Sequence, residues 1–257
     1  MNDTSSSPRA PYLAILGALV LVAVWGAVAA AGVFPESLFP TPLAVARAFV
    51  QELRSGRLVD DSLASLFRVS AGFLLATALG VPVGLLLGHS ARARDAFLPL
   101  VNFFRNLSPL AWIPFAVLWL GIGDPPAIFL IFMAAFFPVV LSTGAAVASI
   151  PSVYFRVARD LGIHGASLLR EVTLPAIAPQ VITTLRVAAG LSWLVVVAAE
   201  MIAGRDGLGF AVWDARNGLR IDLLGAAMVT IGFIGVALDR LLVRLTLVPS
   251  VRWGYER

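Results

Sequence analysis

The chain has 257 residues, 59% of them hydrophobic and only 13% charged, with mean hydropathy +0.91 and a net charge of +4. A soluble domain is nearer a quarter charged, so a water-soluble globule does not describe this composition. Cysteine is absent, histidine occurs twice (His89 and His164), and all 19 basic residues are arginine, which excludes a disulfide framework, a thiolate metal site, a G-x-x-x-x-G-K-[ST] phosphate loop and a Schiff-base lysine.

A helix needs about 20 apolar residues to cross a bilayer. After a polar Met1–Ser7, where disorder is expected, apolar runs lie near Pro11–Phe34, Leu63–Leu87, Phe97–Leu120, Ala127–Ala148, Val181–Ala203 and Leu223–Val248. The first run contains the small-residue triplet Ala27-Val28-Ala29, but it is longer than a signal core of about 7–15 residues and reads as a retained span. Strand spans would be about ten residues long and alternate in polarity, and these runs do not. The expected fold is an all-α membrane protein of about six transmembrane helices. Residues 1–10 form a tail, 11–248 the membrane domain and 249–257 a second tail.

Between the first two runs, Thr41-Pro42 is a helix start, a hydroxyl cap followed by proline in the first turn. Leu43, Ala46, Val50 and Leu53 share one face and Ser55-Gly56 ends the helix. This predicts a short amphipathic helix on the outer surface, packed as a lid on the other helices.

Arginines set the orientation. With the N-terminus inside, the inner segments hold Arg9, Arg92, Arg94, Arg156, Arg159, Arg170, Arg240, Arg244, Arg252 and Arg257. The outer segments hold Arg47, Arg54, Arg57, Arg205, Arg216 and Arg220; Arg68, Arg105 and Arg186 fall within spans and are left out. The inside holds the excess, which places both termini in the cytoplasm. Membrane topology thus accounts for the basic balance. Nucleic-acid binding would need a basic patch on a soluble face, and none is visible.

The third run carries Asn102, Arg105, Asn106 and Pro109 at i, i+3, i+4 and i+7, with Pro109 and Pro114 as expected breaks or kinks. On the fifth run Arg186, Trp193 and Glu200 recur every seventh residue, which puts them along one helix face. Arg186 and Glu200 are about 21 Å apart along the axis, so each needs a different partner. Two readings stand for these groups. In one they line an anion pathway, with Arg105 supplying charge and Asn106 and Ser108 supplying donors. In the other they are architecture or a gate: Arg186 snorkels to the inner interface, Arg105 pairs with a carboxylate, and Trp112 and Trp193 fill space. Further on, Gly204–Asp222 is an outer loop bearing Gly207-Leu208-Gly209-Phe210 and Trp213-Asp214.

The polar segment Ser149–Pro179 separates the fourth and fifth runs. Val153–Arg170 predicts a short helix, a turn at Gly162 and a second helix that Leu174-Pro175 stops. Glycine at 162 permits another backbone to approach closely, and Arg156, Arg159 and Asp160 place charge around it.

This segment resembles the ATPase-docking loop of ABC importer permeases, whose pattern is Glu-Ala-Ala, three residues, Gly, nine residues, Ile, any residue, Leu-Pro. Ala158, Gly162, Leu174 and Pro175 fall on the pattern, while Arg156, Val157 and Val172 depart from it. The flanks Ser108-Pro109-Leu110-Ala111-Trp112-Ile113-Pro114, Leu191-Ser192-Trp193, Ala198-Ala199-Glu200-Met201 and Gly207-Leu208-Gly209-Phe210 resemble the nitrate/sulfonate/bicarbonate branch, from about Leu38 to about Arg244. The resemblance implies the type I importer permease fold in a bacterial inner membrane, with Ser149–Pro179 as a cytoplasmic coupling helix and its loop. It implies a homodimer, two ATP-binding cassette subunits that bind ATP and magnesium, and a periplasmic or lipid-anchored binding protein docking on the outer loop. This chain itself would hold no cofactor and catalyse no reaction. ATP binding would draw the coupling helices together and turn the cavity outward. The cargo implied is nitrate, bicarbonate or a sulfonate such as taurine. A self-contained secondary transporter is the rival, and it predicts uptake independent of ATP.

Overall fold

The computed structural model describes residues 10–35 and 37–246. Residues 1–9 of the expected first tail and all of the second, 249–257, with Arg9, Arg252 and Arg257 of the charge count, lie outside the described residues; Ala10 of the first tail opens α1. In chain order the helices are α1 (Ala10–Ala30), α2 (Pro42–Ser55), α3 (Arg57–His89), α4 (Ala91–Asn106), a 3-10 turn (Pro109–Trp112) running into α5 (Ile113–Leu120), and α6 (Asp124–Ala148). There follow α7 (Ser152–Asp160), α8 (Ala166–Leu168), a π segment (Leu169–Thr173), α9 (Leu174–Ala203), α10 (Leu208–Asn217) and α11 (Ile221–Thr246).

Among the described residues four helices are long and apolar enough to cross a membrane: Arg57–His89, Asp124–Ala148, the continuous Ala166–Ala203, and Ile221–Arg244. The expected third span is a broken pair, Ala91–Asn106 and Pro109–Leu120, bent by 86°. The first expected run is α1, whose apolar stretch Ile15–Ala30 is shorter than these spans. The break falls at Leu107-Ser108, where both residues leave the helical region ahead of Pro109. Pro114 causes no break; it sits in the first turn of α5, where its missing N–H is harmless. Because the chain turns after Asn106, Pro109 does not continue the Asn102–Asn106 face.

The centre of the bundle is α3 against α6, with α9 antiparallel on α6. Small residues every fourth position on α3 bring α3 and α6 together. A Cβ at Gly72 would stand 2.7 Å from Ile131, at Gly84 2.6 Å from Thr143, and at Gly88 2.5 Å from Val147. Ala76, within the same series, is fully buried. Such close packing supplies helix association where lipid gives no hydrophobic drive.

Helix α2 starts and stops as expected: Thr41 Oγ1 accepts from the Ala44 N–H at 3.2 Å, and Gly56 caps the end at φ 84°. Its predicted inward face is wrong. Val45, Ala48 and Phe49 pack on α10 and α11, whereas Leu43, Ala46, Val50 and Leu53 are exposed. Apolar residues occupy both sides of this helix, so periodicity alone had two faces to choose from. Gly225 of α11 decides the matter by letting Val45 approach, since a Cβ there would stand 2.8 Å from it.

Candidate functional site: a coupling helix, a broken helix and a buried ion cluster

At one end of the bundle α7 projects between α6 and α9, and its C-terminus is closed by a Schellman motif. The Ile163 N–H donates to the Ala158 carbonyl (2.8 Å) and the Gly162 N–H to the Arg159 carbonyl (3.0 Å), with Gly162 at φ 72°. Gly162 is therefore required by its left-handed backbone. Close approach of a partner is not the only reason for a glycine there. Ala158 is buried beneath the turn, while Arg156, Arg159, Asp160 and Gly162 are exposed. Leu174 and Pro175 do not stop a helix, contrary to expectation. They open α9 within one helix that starts at Ala166, and the wide π turn just before them accommodates the proline's missing N–H. Both side chains are exposed, and Pro175 shares an open groove with Tyr154, Val157 and Leu161 of the α7 segment.

This segment touches the spans through His89 at the end of α3. His89 Nδ1 donates to the Leu85 carbonyl (3.0 Å), which leaves Nε2 to accept from the Thr173 hydroxyl (3.2 Å). Phe155 of α7 meets the His89 ring edge-on at 6.0 Å. His89 thus joins α7 to α3 and to the base of α9.

The opposite end is held by a buried ion cluster. Arg68 of α3 is 1% exposed and Glu200 of α9 is fully buried. Arg68 donates to Glu200 (2.7 Å), to Asp124 at the start of α6 (2.7 Å), and to the Asp206 carboxylate and backbone carbonyl. Ser65 donates to both oxygens of Glu200 (2.9 and 2.8 Å). The first turn of α10 closes on the same cluster. N–H groups of Gly207, Leu208 and Gly209 donate to Asp61 (2.8 Å), Ser65 (3.0 Å) and Glu200 (2.9 Å), so side chains of two other helices cap α10. A Cβ on Gly207 would stand 2.5 Å from the Glu200 carboxylate, and one on Gly209 would stand 2.2 Å from the Val197 carbonyl. The Gly-Leu-Gly motif therefore fits α10 against α9. No buried side-chain polar atom among the described residues lacks a partner.

Sequence reading found Glu200 but set Arg68 aside, and it missed Ser65, Asp61 and Asp124. The signal for Arg68 was present: an ionisable residue inside an apolar helix calls for a buried partner. The other residues of the α9 stripe also have separate partners, as their spacing requires. Arg186 is an ion-pair partner of Asp239 on α11 (2.7 and 3.0 Å), and Trp193 is buried and donates to the Ile231 carbonyl (3.2 Å). Trp112 lies among Phe104, Phe115, Trp119 and Phe129, with ring centroids 6.0–6.5 Å apart. Asn106 donates to the Asn102 carbonyl of its own helix (2.9 Å), and Ser108 is exposed at the break. Arg105 does not pair with a carboxylate: no Asp or Glu among the described residues lies within 4.0 Å of it.

Residues 80–247 match the family described as the binding-protein-dependent transport system inner membrane component. The chain belongs to that family. Among its relatives are an ABC transporter permease protein of Methanocaldococcus jannaschii, 40% identical over 73% of this chain and 71% of that one, and the nitrate import permease of Synechocystis, 40% identical over 69% and 64%. The bicarbonate transport permease of Synechococcus elongatus is 40% identical over 70% and 65%. The fold matches a chain of the inward-facing MetNI methionine ABC transporter with TM-score 0.60 and 20% identity, covering 74% of this chain and 96% of that one. The permease is thus a multi-pass membrane component of a binding-protein-dependent ABC importer with the type I fold.

Proposed function

We propose that this permease imports a small oxyanion, in the class of nitrate, bicarbonate or a sulfonate such as taurine, across a bacterial inner membrane with both termini in the cytoplasm. Two copies enclose the pathway, and two ATP-binding cassette subunits, which bind ATP and magnesium, dock on α7. A periplasmic or lipid-anchored binding protein delivers the cargo to the α10 side. The substrate class rests on the named cargo of the Synechocystis and Synechococcus relatives.

The observation that carries the docking reading is α7 itself. It is an exposed helix closed at Gly162, and its one buried residue, Ala158, lies beneath the turn. Arg156, Arg159 and Asp160 face outward, where a groove on another protein would meet them, with Leu174 and Pro175 at the base. Phe155 and Thr173 against His89 connect that surface to α3 and α9.

Co-purification in detergent tests this. An ATP-binding cassette subunit, identified by mass, is expected with the wild-type permease and absent with Gly162→Trp. An Arg156→Glu/Arg159→Glu variant, whose changed side chains are exposed and far from the core, should lose it while keeping the wild-type melting curve. Retention of the subunit by both variants would overturn the docking reading, and uptake without ATP would favour a secondary transporter.

A further inference from the structure

Arg68, Arg105 and Arg186 lie in the interiors of the apolar runs, and they differ in one respect. Arg68 is held by Glu200, Asp124 and Asp206, and Arg186 by Asp239. Arg105 has no carboxylate within 4.0 Å among the described residues. A cation inside the hydrocarbon layer needs a counter-charge or water, and such residues face the bundle interior or a water-filled cavity.

The depth of Arg105 follows from its neighbours. It sits at the last turn of α4 and lines a cavity of about 310 Å³ with Phe104, Met133, Phe137, Pro138 and Leu191. Met133–Pro138 occupy the middle of α6 (Asp124–Ala148), and Phe104 stacks on Phe137 at 6.0 Å. On α9, Leu191 and Val195 are about 18 and 12 Å below its end at Ala203, at 1.5 Å per residue. In a core about 30 Å thick this is mid-depth. Snorkelling serves arginines near helix ends, and it does not reach from the middle.

The cavity offers places for water. Pro138 has no N–H, so the Ala134 carbonyl, also in the lining, lacks its helical donor. The end of α4 at Asn106 leaves its last carbonyls beside Arg105 without donors further along an α-helix.

We infer that Arg105 is the anion-selective cation of the translocation pathway, meeting a small planar oxyanion at mid-membrane where α4 breaks. This rests on the oxyanion reading above and gives it a residue. The planar guanidinium matches two oxygens of such an anion. A single exposed cation in an apolar cavity holds the anion weakly enough to release it, as conduction requires. Attraction with no paired carboxylate also disfavours cations on the same route.

The test uses the full importer with its ATPase and binding protein in proteoliposomes. The chain has no native cysteine, so Arg105→Cys gives it a single thiol. A membrane-impermeant, anionic thiosulfonate reagent is expected to modify this chain, read by its mass, and failure to modify it would show that the position does not face water. Uptake of labelled nitrate and labelled bicarbonate is then compared in wild type, Arg105→Gln and Arg105→Lys. Arg105→Gln should slow uptake by about tenfold or more, the worth of one charge-assisted contact. ATPase activity with loaded binding protein should be retained, and Arg105→Lys should recover part of the uptake. Wild-type uptake rates in Arg105→Gln would overturn the inference and leave the oxyanion reading standing. A wild-type importer that carries neither anion, with Arg105→Cys still modified, would overturn the planar-oxyanion assignment of Arg105, leave a sulfonate as the remaining cargo of the oxyanion reading, and uphold only the water-facing position.

Discussion

The two ends of the bundle handle charge in opposite ways. At the α10 end, Arg68, Glu200, Asp124, Asp206, Ser65 and three backbone N–H groups satisfy one another around a fully buried carboxylate. At the α7 end, Arg156, Arg159 and Asp160 are exposed and make no ion pair among the described residues. A satisfied buried network fixes one arrangement of the helices it joins, because any opening leaves charges without partners in low dielectric. Exposed charge on a short capped helix fixes nothing within the chain and remains available to another protein. The first end holds its helices in one arrangement, and the second leaves its charge open to the docking proposed above.

The largest effect is expected from removing the cation at the closed end. Arg68→Ala leaves Glu200 buried without its charge partner and should cost about 3–5 kcal/mol. It would be read as a large fall in the thermal midpoint followed by tryptophan fluorescence in detergent. An unchanged midpoint would mean that the cluster does not join α3, α6 and α9 as described. A smaller loss is expected from Gly209→Ala, whose methyl would overlap the Val197 carbonyl. Overpacking of this kind costs about 1–3 kcal/mol, and the same melt measures it. Smallest is Arg159→Ala on α7, an exposed position expected to shift stability by no more than about 0.5 kcal/mol. A melt of Arg159→Ala that falls as far as that of Arg68→Ala would erase the contrast between the ends.

Much of the fold could be read from local pattern. The apolar runs became helices because hydrocarbon solvent requires backbone groups to pair within the segment. The Thr41-Pro42 start, the Gly56 stop and the turn at Gly162 followed from side-chain capping and left-handed φ, which are properties of a few adjacent residues. The series Gly72, Ala76, Gly80, Gly84 and Gly88 was present as spacing but was not read, and only the facing residues of α6 show what it accommodates. The face of α2 was misread because Leu43, Ala46, Val50 and Leu53 make as good an apolar stripe as the one that packs.

Within the candidate site, the short helix and its turn at Gly162 were legible and the ion cluster was not. Gly162 and Ala158 lie within one turn of each other, and spacing captures that geometry. Arg68 and Glu200 are 132 positions apart, so no window on the sequence joins them. Likewise the sequence left Arg105 with two readings, because whether a carboxylate stands opposite depends on how α4, α6 and α9 are arranged. By itself, then, the sequence determined the helices, their caps, the polar loop around Gly162 and the family resemblance, all of which depend on near neighbours. Only the tertiary structure decided which intramembrane arginines are neutralised and which one is left facing a cavity, because Coulomb pairing depends on distance in space and not on distance along the chain.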